Sequence, residues 1–297
     1  MNDLTVGFIG LGAMGYPMAG HLAQRFRTLV WNRTAEKAAA HAAEFGSQQA
    51  EPDEIARADV IITCLPTSAD VAGVAERLRP SLRAGCVWVD CTSGVPDAAR
   101  TLARFLEGAG VPLLDAPVSG GVVGAQKGQL TVMVGGDVAV LEQVRPAVSA
   151  FAARVVHVGP LGSGFAVKAV NNALLAAHIW TLGEGLAALA AIGVPLGAAL
   201  EVINASSGRS NTSENLFPAR VLTGAFPATF KLGLLAKDAG IALDTARATK
   251  TPVPVLAGIE ELIRAASRVL GPDVDHTAAV RLIEQWAGVE LRGDLKG

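Results

Sequence analysis

Apolar positions fall in short runs through the first half of the chain and in long, nearly unbroken stretches through the second. Residues 4–9 (LTVGFI) make a run of strand length. The turn Gly10-Leu11-Gly12-Ala13-Met14-Gly15 follows, and residues 19–22 then open a helix. A second strand is predicted at 28–31, with Thr34 placed to cap a helix that runs to about Phe45. Further strands are predicted at 60–64 and 87–90, set apart by alanine-rich helical stretches, and later ones at 111–115, 130–134 and 155–158. This alternation predicts a parallel sheet wrapped by helices. The glycine-rich stretch 118–124 reads as too irregular for either element.

After residues 159–164 (GPLGSG) the texture changes, and no convincing strand is predicted from there on. Alanine- and leucine-rich helices dominate, broken at Gly193-Val194-Pro195 and Thr251-Pro252-Val253-Pro254. The expected organisation is an α/β domain over 1–162 and an all-helical domain over 163–297. A length of 297 residues agrees with two cores, since single cores stop growing near ~250–300 residues. The run 165–194 is apolar enough to raise a membrane span. Lys168, Asn171, Asn172, His178 and Glu184 within it would each be costly in lipid, so it is read as a core helix.

Composition narrows the function. A net charge of −2 lacks the basic footprint that nucleic acid demands. Cys64, Cys86 and Cys91 form no C-x-x-C pair and are expected to be reduced thiols of a cytoplasmic protein. The five histidines never take H-x-x-x-H spacing, so no metal is expected. The N-terminus lacks the charged region of a signal peptide.

Gly10, Gly12 and Gly15 spell G-x-G-x-x-G between a predicted strand and helix, the context that makes the pattern a dinucleotide fingerprint. The first glycine permits the tight turn, the second lets a pyrophosphate approach, and the third lets helix and strand pack. Leu11, Ala13 and Met14 complete the binding turn; a merely structural turn is the alternative. At the end of the second strand, where an acid would bind the ribose of NAD, the chain reads Asn32-Arg33-Thr34. Arg33 can grip a 2′-phosphate, so NADP is the expected cofactor. If Arg33 is merely solvated and Asn32 serves the ribose, NAD fits.

Hydride transfer from an alcohol needs a group to take the hydroxyl proton. Tyr-x-x-x-Lys is excluded, because the one tyrosine, Tyr16, is followed four residues on by Gly20. A histidine or a lysine remains. Lys168 opens an apolar helix, with Asn171 and Asn172 three and four residues later on the same face. That polar patch suits a cleft; the alternative is a lysine snorkelling to solvent at a helix end. As a base, Lys168 needs a pKa brought down from ~10.4 by desolvation and a nearby cationic nicotinamide. Phe230, Leu234, Lys237 and Ile241 are predicted on one helical stripe, with Asp238 on another face. Lys237 there needs an anion, either a cofactor group or a structural ion pair.

Four ordered segments, GFIGLGAMGYPMAGHL at 7–22, DAPVSGG at 115–121, GSGFAVKAVNNALL at 162–175 and LLAKDAGIAL at 234–243, carry a resemblance over the full length. The sequence resembles the 3-hydroxyisobutyrate dehydrogenases of the β-hydroxyacid dehydrogenase family. The resemblance implies a Rossmann domain joined by a long helix to an all-helical substrate and oligomerisation domain. It implies NAD(P)-dependent oxidation of a small β-hydroxy acid, such as 3-hydroxyisobutyrate to its semialdehyde in valine degradation. It makes Lys168 catalytic, with Asn172 on the substrate and Ser119, Gly120 and Gly121 on its carboxylate. Leu65, Pro66, Thr92, Ser93, Phe230 and Lys237 would line the cofactor. Two positions depart from the pattern: Asp90-Cys91-Thr92-Ser93 stands where the family reads Asp-x-Ser-Thr, and Asp70 where an asparagine is frequent. Tartronate semialdehyde reduction and serine or threonate oxidation are alternatives. Others are imine reduction, whose enzymes typically lack the lysine, and a non-catalytic NADP-binding scaffold or sensor. The apolar helices lead us to expect a homo-dimer or homo-tetramer, with neither nucleic acid nor membrane as partner.

Overall fold

A computed structural model describes residues 4–293 and divides the chain into two units, Met1–Lys168 and Ala169–Gly297. The first begins with β1 (Thr5–Ile9), α1 (Gly15–Ala23), β2 (Arg27–Trp31), α2 (Ala35–Phe45), β3 (Gln48–Gln49) and α3 (Pro52–Ile55). It continues through β4 (Val60–Thr63), α4 (Ser68–Leu78), β5 (Val87–Asp90), α5 (Pro96–Glu107) and β6 (Leu113–Asp115). Then come β7 (Val118–Ser119), α6 (Gly121–Gln126), β8 (Leu130–Gly135), α7 (Val138–Val148) and β9 (Ala152–Gly159). The strands run β3-β2-β1-β4-β5-β6, all parallel, and β8 then pairs antiparallel with β6 and β7 and parallel with β9.

Successive strand residues enter opposite cores. Phe8, Ile62 and Val89 join one apolar cluster, while Ile9, Ile61 and Trp88 join the other. A sheet covered on both faces explains why these strands read as continuous apolar runs. Strand order reverses between β1 and β4, and the crevice beyond their carboxyl ends is where sheets of this kind bind ligands.

Three expectations need correction. Residues 118–124 are ordered: β7 and the start of α6 lie there, hidden by glycines whose freedom is used for turning, Gly120 and Gly121 having φ of 132° and 63°. The strand expected at 111–115 is shorter, because Pro112 interrupts it and pairing begins at Leu113. Thr34 does stand at the N-cap of α2, but its side chain makes no capping bond.

One helix, α8 (Ser163–Ala191), carries the chain from the first unit into the second. Among the described residues it alone is long and apolar enough to cross a membrane. The second unit adds α9 (Leu196–Asn204), a π-helical stretch (Thr212–Val221), α10 (Leu232–Ala248), α11 (Pro254–Leu270), a 3-10 turn (His276–Ala279) and α12 (Val280–Ala287). Ile179, Trp180, Phe217, Leu235, Ile263 and Ile283 fill its core.

One buried carboxylate of that unit is Asp275, 2% exposed. Arg220 donates to it at 3.1 Å, the Thr229 hydroxyl at 3.1 Å and the Thr277 hydroxyl as well. Burial pushes the Asp275 carboxyl up, but the His276 and Thr277 contacts outweigh burial and hold it well below the usual carboxylate range. A depressed folded pKa gives stability that is present above the ordinary carboxylate pKa and lost as pH falls through the folded one. Asp275→Asn leaves the half-buried Arg220 against a neutral amide, so it should destabilise the protein by ~3 kcal/mol at neutral pH. Urea unfolding would read this, and the difference from wild type should shrink as pH falls below ~4.

Candidate functional site

The glycine turn sits at the strand-order reversal. Gly10 has φ of 105°, and a β-carbon on it would collide with the Cys64 carbonyl oxygen at the end of β4. A β-carbon on Gly15 would collide with the Gly10 carbonyl oxygen. A β-carbon on Gly12 would meet nothing within 4 Å. The outer two glycines therefore serve the turn itself, while the middle one leaves its face open to a ligand. Met14 occupies the N-cap of α1 without a side-chain cap; Tyr16 N is spent on the Gly12 carbonyl at 2.9 Å and Pro17 has no N–H, so an anion here meets Gly15 N and the peptide groups of the turn itself. These features fit a dinucleotide pyrophosphate.

Asn32 braces the turn. Its Oδ1 accepts from Leu11 N at 3.0 Å and its Nδ2 donates to the Thr34 carbonyl at 3.1 Å. Arg33 and Thr34 are exposed beside it, and Ala13 is exposed on the turn. Lys37, one helical turn beyond Arg33, helps line a cavity of about 510 Å³ that borders Leu11, Gly12, Ala13 and Tyr16. Sequence reading passed over Lys37, although a second cation one turn after Arg33 was visible.

Past β4, Leu65 is half-buried and Pro66 exposed. Leu65 N donates to the Thr92 hydroxyl at 3.1 Å, and Thr92 N donates to Asp90 Oδ1 at 3.0 Å. The Thr63 hydroxyl donates to the same oxygen at 2.9 Å. Asp90, 2% exposed, thus ties together the two loops that carry Leu65, Pro66, Thr92 and the half-buried Ser93. Burial pushes its carboxyl up to about 6 against the pull of Thr92 and Thr63, and the nearby Asp115 adds to the rise. Asp70 answers its departure from the family pattern: Thr67 Oγ1 donates to its carboxylate at 2.6 Å and caps α4 by accepting from Asp70 N. Burial pushes the Cys64 thiol up to about 12 and Cys91 well above its ordinary value, which leaves neither as a nucleophile.

Ser119 ends β7, paired with Thr131, and Gly120 and Gly121 turn the chain into α6. His21 Nε2 lies 3.0 Å from both the Ala125 and Gln126 carbonyls, which ties the end of α6 to α1. The Asp115 carboxylate accepts from Gly162 N at 2.7 Å and Phe165 N at 2.8 Å, at the start of α8.

Lys168 is half-buried, two residues after Ala166 N donates to the Gly162 carbonyl in the first turn of α8. In the second unit Asn172, 3% exposed, donates through Nδ2 to Asp238 Oδ2 at 2.6 Å, and its Oδ1 accepts from Asn171 Nδ2 at 3.1 Å. The amide orientation is thereby set. Lys237 Nζ lies 3.3 Å from Asp238 Oδ1, which corrects the expectation that Asp238 projects away: the long lysine side chain folds back to its neighbour. Phe230 also needs correction. It lies outside α10, which begins at Leu232 after the N-cap Lys231, so it shares no helical stripe with Lys237. Its ring packs edge-on against His276 at 5.3 Å.

Sequence reading missed Asp90, Asp115 and Asp238 as organisers, since each joins its own segment to a partner 27 or more residues away. Among the described residues no group of three His, Cys, Asp or Glu side chains could hold a metal.

Residues 5–159 match the family described as the NAD binding domain of 6-phosphogluconate dehydrogenase. Residues 162–283 match that described as NAD-binding of NADP-dependent 3-hydroxyisobutyrate dehydrogenase. The chain is 34% identical to 2-(hydroxymethyl)glutarate dehydrogenase of Eubacterium barkeri, with 98% of this chain and 99% of that one covered. It is 34% identical to the NAD-dependent L-serine dehydrogenase of Pseudomonas aeruginosa over 265 residues, 84% of this chain and 88% of that one. Among solved structures, Mycobacterium tuberculosis 3-hydroxyisobutyrate dehydrogenase with L-serine superposes with a TM-score of 0.86 at 28% identity, covering 95% and 99% of the two chains.

Two predictions follow from the turn and from Asp90. Gly12→Ala should melt like wild type yet bind dinucleotide at least tenfold more weakly, whereas Gly15→Ala should lower Tm itself; calorimetry with and without cofactor separates them. For Asp90 the folded pKa is raised, so its contribution is present below the unfolded value near ~3.9 and lost as pH rises through about 6. Both donors reach the one oxygen that asparagine keeps. Asp90→Asn should therefore gain stability relative to wild type, by up to ~3 kcal/mol between pH 4 and 8, in urea titrations across that range.

Proposed function

The chain belongs to the β-hydroxyacid dehydrogenase family, and we propose that within it this enzyme oxidises 3-hydroxyisobutyrate or a closely related small β-hydroxy acid, with NADP as cofactor and Lys168 as proton acceptor. The observation that carries this reading is Lys168 one helical turn before Asn172, whose amide is held by Asp238 and Asn171. With oxygen and one N–H committed, Asn172 keeps a second N–H to offer a substrate oxygen. Ser119 and the turn at Gly120 and Gly121 offer a hydroxyl and peptide N–H groups suited to a carboxylate.

When bound, the nicotinamide ring supplies the hydride acceptor. The protein's own part is to orient the hydroxy acid and to take its hydroxyl proton on the neutral amine of Lys168, contributions worth ~10²-fold or more in rate. In reduction the ammonium of Lys168 returns that proton. Leu65, Pro66, Thr92, Ser93, Phe230 and Lys237 are assigned to the cofactor.

NADP is favoured because Asn32 and exposed Arg33 stand where an NAD enzyme of this fold places an acid, and exposed Lys37 follows in α2 on the cavity beside the glycine turn. The substrate reading rests on relatives named for hydroxymethylglutarate, serine and hydroxyisobutyrate, all of them hydroxy acids. A cytoplasmic location agrees with three free thiols. A homo-oligomer, dimer or tetramer, agrees with Val167, Val170 and Leu174 exposed along α8. Polar residues along that helix favour a soluble protein over a membrane span.

An absorbance assay at the nicotinamide band tests the reading by crossing NAD and NADP with 3-hydroxyisobutyrate, L-serine, threonate and 2-(hydroxymethyl)glutarate. NADP should exceed NAD at least tenfold in kcat/KM, and Arg33→Ala should erase most of that margin. Lys168→Ala should lower kcat by ~10²-fold or more with cofactor affinity nearly intact. Undiminished turnover in that variant would remove Lys168 from the mechanism.

A further inference from the structure

We propose that Asp115 is the positioning residue for Lys168: its buried carboxylate pins the first turn of α8 to the end of β6 and so sets where along the helix axis the lysine stands. The inference deepens the function proposed above and rests on Lys168 being the proton acceptor.

A helix begins with N–H groups that have no partner of its own, and α8 begins in the interior. Asp115 is fully buried, and its two oxygens divide the task. Oδ1 takes Gly162 N at 2.7 Å, and Oδ2 takes Phe165 N at 2.8 Å. These are charge-assisted bonds, stronger than neutral ones, and they place an anion at the positive end of the helix dipole. Burial raises the Asp115 carboxyl above its ordinary pKa while the peptide donors oppose that rise. The fit is close on every side. A β-carbon on Gly135 of β8 would run into the Asp115 carboxylate, and one on Gly164 would run into the Met133 carbonyl oxygen. The helix start is therefore held against two strands at once.

Lys168 follows Phe165 by three residues, so its backbone stands ~4.5 Å further along the axis from the pinned N–H. Ser119, proposed to grip the substrate carboxylate, lies four residues beyond Asp115 in the same segment. Both ends of that segment are fixed on β8, Asp115 opposite Gly135 and Ser119 opposite Thr131. One short stretch of chain thus sets both the carboxylate grip and the height of the proton acceptor. A misplacement of 1 Å at such a centre is enough to lose ~10²-fold in rate.

The test uses Asp115→Asn, which keeps one acceptor, and Asp115→Ala, which keeps none, in the full-length protein. Dinucleotide Kd comes from fluorescence titration, kcat and KM from steady-state assays with 3-hydroxyisobutyrate, and the primary deuterium isotope effect from substrate labelled at the carbinol carbon. The expected result is a cofactor Kd and a substrate KM within threefold of wild type. kcat should fall at least tenfold in Asp115→Asn and further in Asp115→Ala, with a larger isotope effect on kcat. The double variant Lys168→Ala/Asp115→Asn should be no slower than Lys168→Ala alone, since positioning has no value once the amine is gone. A kcat within twofold of wild type in Asp115→Asn overturns the proposal. So does an additive loss in the double variant, or failure of both single variants to bind cofactor, which would make Asp115 a folding residue only. Wild-type turnover in Lys168→Ala is the separate outcome that defeats the underlying reading of function.

Discussion

The ends of β1 and β4 can lie side by side because Gly10 has no β-carbon to strike the Cys64 carbonyl. On that contact depends the reversal of strand order, and on the reversal depends the crevice in which the loops after β1, β4 and β5 meet. Gly15 then allows α1 to rise directly off the turn, its N-terminus facing the crevice. The dinucleotide fingerprint is in this sense a packing requirement at two of its glycines and a ligand requirement at the third.

Buried carboxylates do the long-range joining. Asp90 links the ends of β4 and β5 through Thr63, Thr92 and Leu65. Asp115 links β6 to the first turn of α8. Within the second unit Asp238 links α8 to α10 through Asn172, and Asp275 links the π-helical stretch to the turn at His276 through Arg220. A charge removed from water is destabilising unless it is fully hydrogen-bonded, and three of these four gather several donors. Asp238 has less, an amide on one oxygen and the Lys237 ammonium near the other.

Much of the fold could be read in advance because its signals are local. Strand-length apolar runs, the glycine turn in its strand–helix setting and the long, mostly apolar stretch that became α8 each depend on neighbours a few residues away. The errors arose where local pattern and three-dimensional use diverge. Residues 118–124 were obscured because glycines at positive φ belong to ordered turns as readily as to loops. Phe230 fitted a 3.6-residue period that in fact starts two residues later. Helical geometry separates Lys237 and Asp238, yet a flexible four-carbon stem spans the angle. Asp115 stood in plain sight in the DAPVSGG segment, but a cap offered to a helix 47 residues away leaves no mark in either stretch of sequence.

The sheet also has two margins, and both are unfavourable templates for further pairing. At one, β3 is only two residues long. At the other, β9 runs for eight residues, but its ladder with β8 slips twice, between Leu130 and Thr131 and between Val134 and Gly135. Arg154 and His157 stand exposed along it. A strand from a stray molecule would find at β9 a kinked, charged border rather than a flat row of peptide groups, and at β3 almost no border at all. The irregular ladder of the last strand thus works against edge-on aggregation.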